Sequence, residues 1–304
     1  MKIIIAGGTG FVGRSVVREL LSQGHEVLVL SRRCSGIQSA GGGKPVLIPW
    51  DGETPGVWCS AIEGADAVIN FSGQDISARR WTREYKRVLR ESRVGPTRSI
   101  VRAIAACAKP PRVLINASAV GYYGDSGDRL LDEASDRGSG FLTDLCLDWE
   151  RAACEARNYG VRVVVLRMGV VIGKGGVLDK FTPPFQWYLG GSPGSGRQWM
   201  SWISARDLAE IVLFALCNSD LEGPVNCVSP DPLTMNDFCS ALGSALRRPS
   251  WIRCPAFVLR LALGEMAQVV LSGQRVVPRR LLDAGFRFKN PVIDGILFET
   301  VHKR

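Results

Sequence analysis

Only two histidines occur in 304 residues, His25 just before an apolar run and His302 near the end. A Ser-His-Asp triad or a His-rich metal site needs an imidazole held beside its partners. Neither position offers that, so histidine hydrolases, zinc enzymes and metal sites in general are not expected. No apolar run reaches the ~18 residues that span a bilayer, and no membrane partner is expected. The opening residues Met1-Lys2-Ile3-Ile4-Ile5 read directly as a strand, so no signal or transit peptide is expected. The nine cysteines, an odd number, contain no C-x-x-C pair. They suit reduced, mostly buried thiols and a cytoplasmic protein. Lysine is scarce too, 8 against 30 arginines, so the net charge of +9 is mostly guanidinium. Arg79, Arg83, Arg87, Arg90 and Arg93 fall at helical spacing, but Glu84 and Glu91 interleave and no nucleic-acid-binding module accompanies them. That pattern reads as a solvated helix face, with no nucleic acid expected as partner. A basic balance equally serves a phosphate-bearing cofactor.

What is present is a chain able to build a core, with 46% hydrophobic and 22% charged residues. Short apolar runs at residues 2–6, 26–30, 46–49, 67–71, 112–116 and 162–167 alternate with helical patterns. In the first of these, Val12, Val16, Val17, Leu20 and Leu21 keep the 3.6 period and Gly24 ends the helix. Continuous apolar strands between helices indicate a parallel sheet buried on both faces. The expected fold class is α/β, a Rossmann doubly wound parallel sheet with a smaller α/β C-terminal substrate region. Residues 1–170 are expected to form the dinucleotide-binding domain, with 200–228 partly returning to it. Residues 171–304 are expected to form the substrate-binding region. From Val170 onward glycines and prolines make loops, a usual home for substrate contacts. Ser204-x-x-Asp207 and Thr234-x-x-Asp237 then read as capping boxes that start two helices.

Gly7, Gly10 and Gly13 form G-x-x-G-x-x-G between the first strand and its helix, with Thr9, Phe11 and Val12 in the same turn. Such a turn lets backbone N–H groups approach a pyrophosphate at a helix N-terminus. An NAD site keeps an Asp or Glu about 20 residues further on to hold the ribose 2′-OH. This chain has Ser31-Arg32-Arg33 instead. Two guanidiniums and a hydroxyl suit a 2′-phosphate, so NADP (as NADPH) is the expected cofactor. Asp51, after the third strand, reads either as an adenine contact or as a turn residue.

Asn70-Phe71-Ser72-Gly73 after the fourth strand and Ala117-Ser118-Ala119-Val120-Gly121-Tyr122-Tyr123-Gly124 after the fifth extend this pattern. So do Leu166-Arg167, Ser201-Trp202-Ile203-Ser204-x-x-Asp207, Gly273-Gln274-Arg275-Val276-x-Pro278 and Ala284-Gly285-Phe286. Together they resemble the extended short-chain dehydrogenase/reductase family. Within it the nearest likeness is the atypical epimerase family group, related to NAD-dependent epimerases and dehydratases, with its own C-terminal segment. The resemblance implies an NADP-dependent oxidoreductase or epimerase acting on a small carbonyl or sugar-like substrate. It also implies cofactor contacts from Asn70, Phe71, Ser72, Gly73, Ala117 and Ser118. The parent family uses a Tyr-x-x-x-Lys helix with a serine that orients the carbonyl. Here the corresponding helix, Phe141-Leu-Thr-Asp-Leu-Cys-Leu-Asp-Trp-Glu150, has neither tyrosine nor lysine, and the family's asparagine is Arg93. Ser118 stands at the serine position, leaving Tyr122 or Tyr123 as proton donor. Alternatively, Tyr123-Gly124 is a structural turn and Ser118 only touches cofactor. The second functional reading is an NADPH-binding sensor or scaffold without hydride transfer. The expected partner is a small-molecule substrate, and the chain is expected to be a monomer or homodimer.

Overall fold

The computed structural model describes residues 1–32, 34 and 43–302; Arg33 of the expected phosphate clamp lies outside them. Seven strands form one sheet, all parallel: β1 (Lys2–Ala6), β2 (Glu26–Ser31), β3 (Val46–Pro49), β4 (Ala67–Asn70), β5 (Val113–Ala119), β6 (Arg162–Met168) and β7 (Gly223–Cys227). Their order across the sheet is β3-β2-β1-β4-β5-β6-β7. The chain therefore winds outward from β1 in one direction, then returns and winds the other way from β4. This is the Rossmann doubly wound order, and the expected fold class is the one observed.

The alternation within each apolar run explains why both faces are covered. Ile3, Ile5, Val27, Val29, Ile69, Ile115 and Val164 point to one face, where Val16, Val17 and Leu20 of α1 (Phe11–Ser22) meet them. Ile4, Leu28, Val68, Leu114 and Val163 point to the other. There they meet Trp58 and Ile62 of α2 (Val57–Ile62), Ile100 and Ile104 of α3 (Arg83–Ala105), and Ala153 of α4 (Phe141–Cys154). Every strand is thus sandwiched, as continuous apolar strands require.

After β6 the short helix α5 (Leu178–Gln186) precedes α6 (Ala205–Cys217), α7 (Met235–Leu246) and α8 (Ala256–Leu263). The two capping motifs start α6 and α7: Ser204 Oγ accepts the Asp207 N–H at 2.8 Å, and Thr234 Oγ1 accepts the Asp237 N–H at 3.2 Å. Asp207 is fully buried and also accepts the N–H groups of Lys289 and Asn290, at 2.8 and 3.0 Å. It therefore fastens the C-terminal chain to the start of α6. Leu281 and Phe286 join the core on the α1/α6 face of the sheet, with the Phe286 ring 5.4 Å from that of Phe214 on α6, while Ile293, Ile296 and Leu297 close a separate core around Phe185, Trp202 and Phe238.

Candidate dinucleotide and substrate site

The carboxyl ends of β1 and β4, where the winding reverses, meet at the three-glycine turn. Each glycine there has a different steric reason. Gly7 has φ +75°, and a Cβ on it would lie 2.6 Å from Phe71 O. Gly13 sits so close under the strand that a Cβ would come within 2.2 Å of Gly7 O. Gly10 meets only Gly7 O, at 3.2 Å, with nothing else within contact distance. It is the N-cap of α1 and brings no capping side chain, and the first turn of that helix holds no acid. The N–H groups of its first turn, with Phe11 and Val12 among them, thus form a positive helix end whose own first turn carries no carboxylate. The Phe11 ring lies under the residue 173–176 loop, where a Cβ on Gly176 would come within 2.9 Å of it. Thr9 is exposed, and its carbonyl accepts from Arg14 Nη1 at 2.9 Å.

Ser31 ends β2 in a buried position and Arg32 follows it exposed. Asp51 closes a turn. Its Oδ1 accepts the N–H groups of Glu53 and Thr54 at 2.8 and 2.9 Å, and Thr54 Oγ1 donates to its Oδ2. Those three bonds, led by the Thr54 hydroxyl, hold the carboxyl down at about 2.

At the end of β4, Asn70 supports the loop that follows it. It is fully buried, and its Nδ2 donates to Thr97 Oγ1 (2.9 Å) and Asn116 Oδ1 (2.7 Å). Its Oδ1 accepts the Ser72 N–H at 3.0 Å, shaping the Phe71-Ser72-Gly73 backbone. Under Gly73 lies Arg93, donating to Leu89 O and Gln74 O at 3.0 Å each and standing 5.3 Å from the Trp149 ring centre. Burial lowers its pKa, and no carboxylate forms an ion pair with it among the described residues. Arg93 thus departs from the exposed arginine stripe that its helical spacing suggests.

The carboxyl end of β5 holds a buried polar chain that sequence reasoning missed. Ser118 Oγ donates to Glu150 Oε1 at 2.6 Å. Arg167 grips the same carboxylate with two bonds, Nε to Oε1 at 3.0 Å and Nη2 to Oε2 at 2.9 Å. Its Nη1 donates to Tyr123 Oη at 3.1 Å, and that hydroxyl donates onward to Asn226 Oδ1 at 2.7 Å. Burial alone would lower the Arg167 pKa, but the bonds to Glu150 outweigh it and hold it above the usual value. Burial also pushes the Tyr123 phenol up to about 12.

The structure places Ser118 and Tyr123 in one buried network: both are fully buried, and their hydroxyls engage Glu150, Arg167 and Asn226. Ala117 is buried in the strand itself. Tyr122 stays half-exposed, with the Arg167 guanidinium 3.4 Å from its ring centre. Among the described residues no hydrogen bond engages its hydroxyl. A signal for the network did exist in the sequence, because Arg167 is a lone charge ending an apolar strand and a buried charge needs a partner.

The side of α4 facing the β5 turn carries Leu142 and Cys146. A Cβ on Gly121 would lie 3.3 Å from Leu142 Cβ and 3.9 Å from Cys146 Sγ. Leu145 and Trp149 turn elsewhere, and the Trp149 indole donates to Thr97 Oγ1 at 3.0 Å. An apolar side chain and a buried thiol, pushed up to about 11 by burial, thus occupy this face at four-residue spacing. Above it opens a cavity of about 590 Å³, walled by Gly121, Gly124 and Leu142 on one side and Arg260, Glu265 and Gln268 on the other. The second wall belongs to the C-terminal segment. Of the tryptophans in the glycine-rich stretch, Trp202 plugs the core and Trp199 donates to Asp128 Oδ1 at 2.7 Å. Trp187 is exposed, and none of the three lines this cavity.

The profile of the NAD dependent epimerase/dehydratase family matches residues 3–227. The chain belongs to that family. Residues 254–298 match a second profile, described as Domain of unknown function (DUF1731). The chain is 40% identical over 303 residues to the Arabidopsis thaliana "Epimerase family protein SDR39U1 homolog, chloroplastic", covering 98% of this chain and 86% of that protein. It is 34% identical over 307 residues to "Epimerase family protein YfhF" of Bacillus subtilis, covering 100% and 99%. Among solved structures it is similar to human epimerase family protein SDR39U1 (isoform2), crystallised with NADPH. The TM-score is 0.87 at 32% identity over 100% of both chains. The atypical epimerase family group, with its own C-terminal segment, is thus the resemblance the motifs carried.

Proposed function

We propose that this epimerase/dehydratase family chain binds NADPH across the β1–β4 switch point and exchanges hydride with a small carbonyl or sugar-like compound held in the adjoining cavity. The observation that carries this reading is the uncapped, acid-free N-terminus of α1 behind a glycine turn with room for a phosphate at Gly10. The residues present fit such a cofactor. The α1 N–H groups would hold the pyrophosphate, while Arg32, with Ser31 and Arg33, would take the 2′-phosphate. When bound, NADPH supplies the hydride. Tyr122, next in the chain to the cavity-lining Gly121, is then the phenol that would give a proton to the carbonyl oxygen. Arg167 stacks on its ring, and Leu142 gives the cavity an apolar wall beside it. The NADPH-bound human relative supports the cofactor part of this reading.

A second reading, a dinucleotide-binding sensor without turnover, is favoured by the spent hydroxyls of Ser118 and Tyr123. Fluorescence titration with NADPH and with NADH tests the part common to both. NADPH is expected to bind far more tightly. R32A/R33A should lose about 1.5–3 kcal/mol per charge-assisted bond for NADPH, with NADH little changed. Equal losses for the two nucleotides would remove the 2′-phosphate assignment. NADPH consumption across a carbonyl panel, abolished in Y122F, then separates the enzyme from the sensor.

A further inference from the structure

Two segments of the chain expose large apolar side chains beside one another. The turn after α5 presents Trp187, Tyr188 and Leu189, with Trp187 76% exposed. The second segment presents Trp251, 72% exposed, followed by Ile252. The backbone ties them together: the N–H groups of Trp251 and Ile252 both donate to Gly190 O at 3.1 Å, and the Trp251 indole donates to Tyr188 O at 3.0 Å. Tyr188 is held at φ 60°, a left-handed conformation that a bulky residue keeps only under constraint, and Arg248 stacks 4.5 Å from its ring centre. The patch is therefore a fixed presentation of aromatics. Beyond Cys254, which pairs with Pro193, α8 begins. None of the eight residues of this apolar helix is buried, and Phe257 and Leu261, one turn apart, are 71% and 78% exposed. Bare apolar surface of this extent marks a docking face.

Charge selects the occupant. Residues 180–206 and 238–264 contain no Asp or Glu. Arg247, Arg253 and Arg260 are exposed, and neither they nor Arg248 has an ion-pair partner among the described residues. A second copy of the chain across a two-fold axis would set these arginines against themselves, a like-charge contact that works against self-association. Tryptophan, tyrosine and arginine around an exposed apolar helix suit the headgroup layer of an anionic bilayer, where apolar bodies sink and guanidiniums meet phosphate. We infer that Trp187, Leu189, Trp251, Phe257 and Leu261 dock this protein peripherally on an anionic membrane surface, with Arg247, Arg248, Arg253 and Arg260 on the lipid headgroups. No helix among the described residues is long and apolar enough to cross a membrane, so the contact lies in the interface plane. The expectation of no membrane partner rested on the missing spanning run, a test blind to a patch assembled from residues 63 apart in the chain. Arg260 also walls the cavity, so docking holds that cavity beside the lipid.

Sedimentation of the full chain with vesicles tests this, using phosphatidylcholine alone and phosphatidylcholine with about one-third phosphatidylglycerol. Retention is expected on the anionic vesicles only. It should weaken about fivefold for each arginine removed, hence on the order of 25-fold in R247Q/R253Q. W187S/W251S should lose retention while its melting temperature and NADPH titration stay those of the unmodified chain, which separates docking from folding. Quenching of tryptophan fluorescence by bromine-labelled acyl chains should vanish in W187F/W251F while retention persists. Equal retention on neutral vesicles, no retention on either, or undiminished retention of W187S/W251S overturns the inference. A dimer that W187S/W251S dissociates, without vesicle binding, assigns the face to a second copy instead.

Discussion

Replacing Tyr123 by phenylalanine removes the donor to Asn226 Oδ1 and the acceptor for Arg167 Nη1 in one step, leaving two buried groups each short of a partner. Y123F is therefore expected to lose about 1–3 kcal/mol of stability in urea unfolding and to keep its NADPH affinity. Y122F should do the opposite, with unchanged unfolding and turnover lower by about 10²–10⁴-fold. Loss of turnover without loss of stability in Y123F would reverse the roles assigned to the two phenols. The raised Tyr123 pKa has a sign that can be checked. The fold favours the protonated phenol, so this contribution is whole below about pH 10, the unfolded value, and fades as pH rises towards about 12. Urea midpoints should fall less steeply across that window in Y123F than in the unmodified chain. Ser118 and Tyr123 were readable as notable residues because they follow a strand beside glycines. Their engagement was not readable, because Glu150 approaches from α4 and Asn226 from β7, 32 and 103 residues away.

The glycine turn makes a sharper test, since its three positions fail in different ways. A side chain at Gly13 would drive α1 off β1, through Gly7 O at 2.2 Å and Gly8 Cα at 2.6 Å. G13A is expected to destabilise by about 1–3 kcal/mol through overpacking and to bind NADPH poorly as a consequence. A Cβ at position 10 meets only Gly7 O, at 3.2 Å, so G10V should melt close to the unmodified chain while its NADPH affinity collapses. Paired thermal melts and titrations distinguish the two, and a G10V that binds normally would remove the phosphate from this helix end. The six apolar runs were legible because a strand buried on both faces has almost no polar residues. The seventh strand was not, because Gly223-Pro-Val-Asn-Cys227 lacks a continuous apolar run. Pro224 is tolerable there because β7 is the sheet edge and has no further strand to receive its missing N–H. The register of α4 was hidden for a related reason: Leu142, Leu145, Cys146 and Trp149 are all apolar enough to face inward, and only packing shows which of them meets Gly121.

Whether the chain is one cooperative body or two domains turns on the C-terminal segment. The sequence suggested a boundary near Val170, where the glycine-rich loops begin. Yet Leu281 and Phe286 pack in the core on the α1/α6 face of the sheet, Glu133 accepts from both the Asn226 and Arg280 N–H groups, and Ser201 Oγ donates to Gln274 O at 2.7 Å. Removing residues 254–304 would also strip Asp207 of the Lys289 and Asn290 N–H groups and leave a buried carboxylate under-bonded, at a cost of about 1–3 kcal/mol or more for a charged group. A segment that seals two cores and satisfies buried polar atoms adds to the stability of the whole body. The full chain is therefore expected to unfold in urea as one transition, with far-UV dichroism and tryptophan emission coincident. NADPH at about 100 times its dissociation constant should move that entire transition by about 2.7 kcal/mol. Trp251 and Trp202 emission reports on the C-terminal half, so it should shift together with the backbone signal. Two separated transitions, only one of them moved by NADPH, would mean instead that the segment is a domain folding by itself. The cavity it walls would then close over substrate by docking of two stable parts rather than by a single fold.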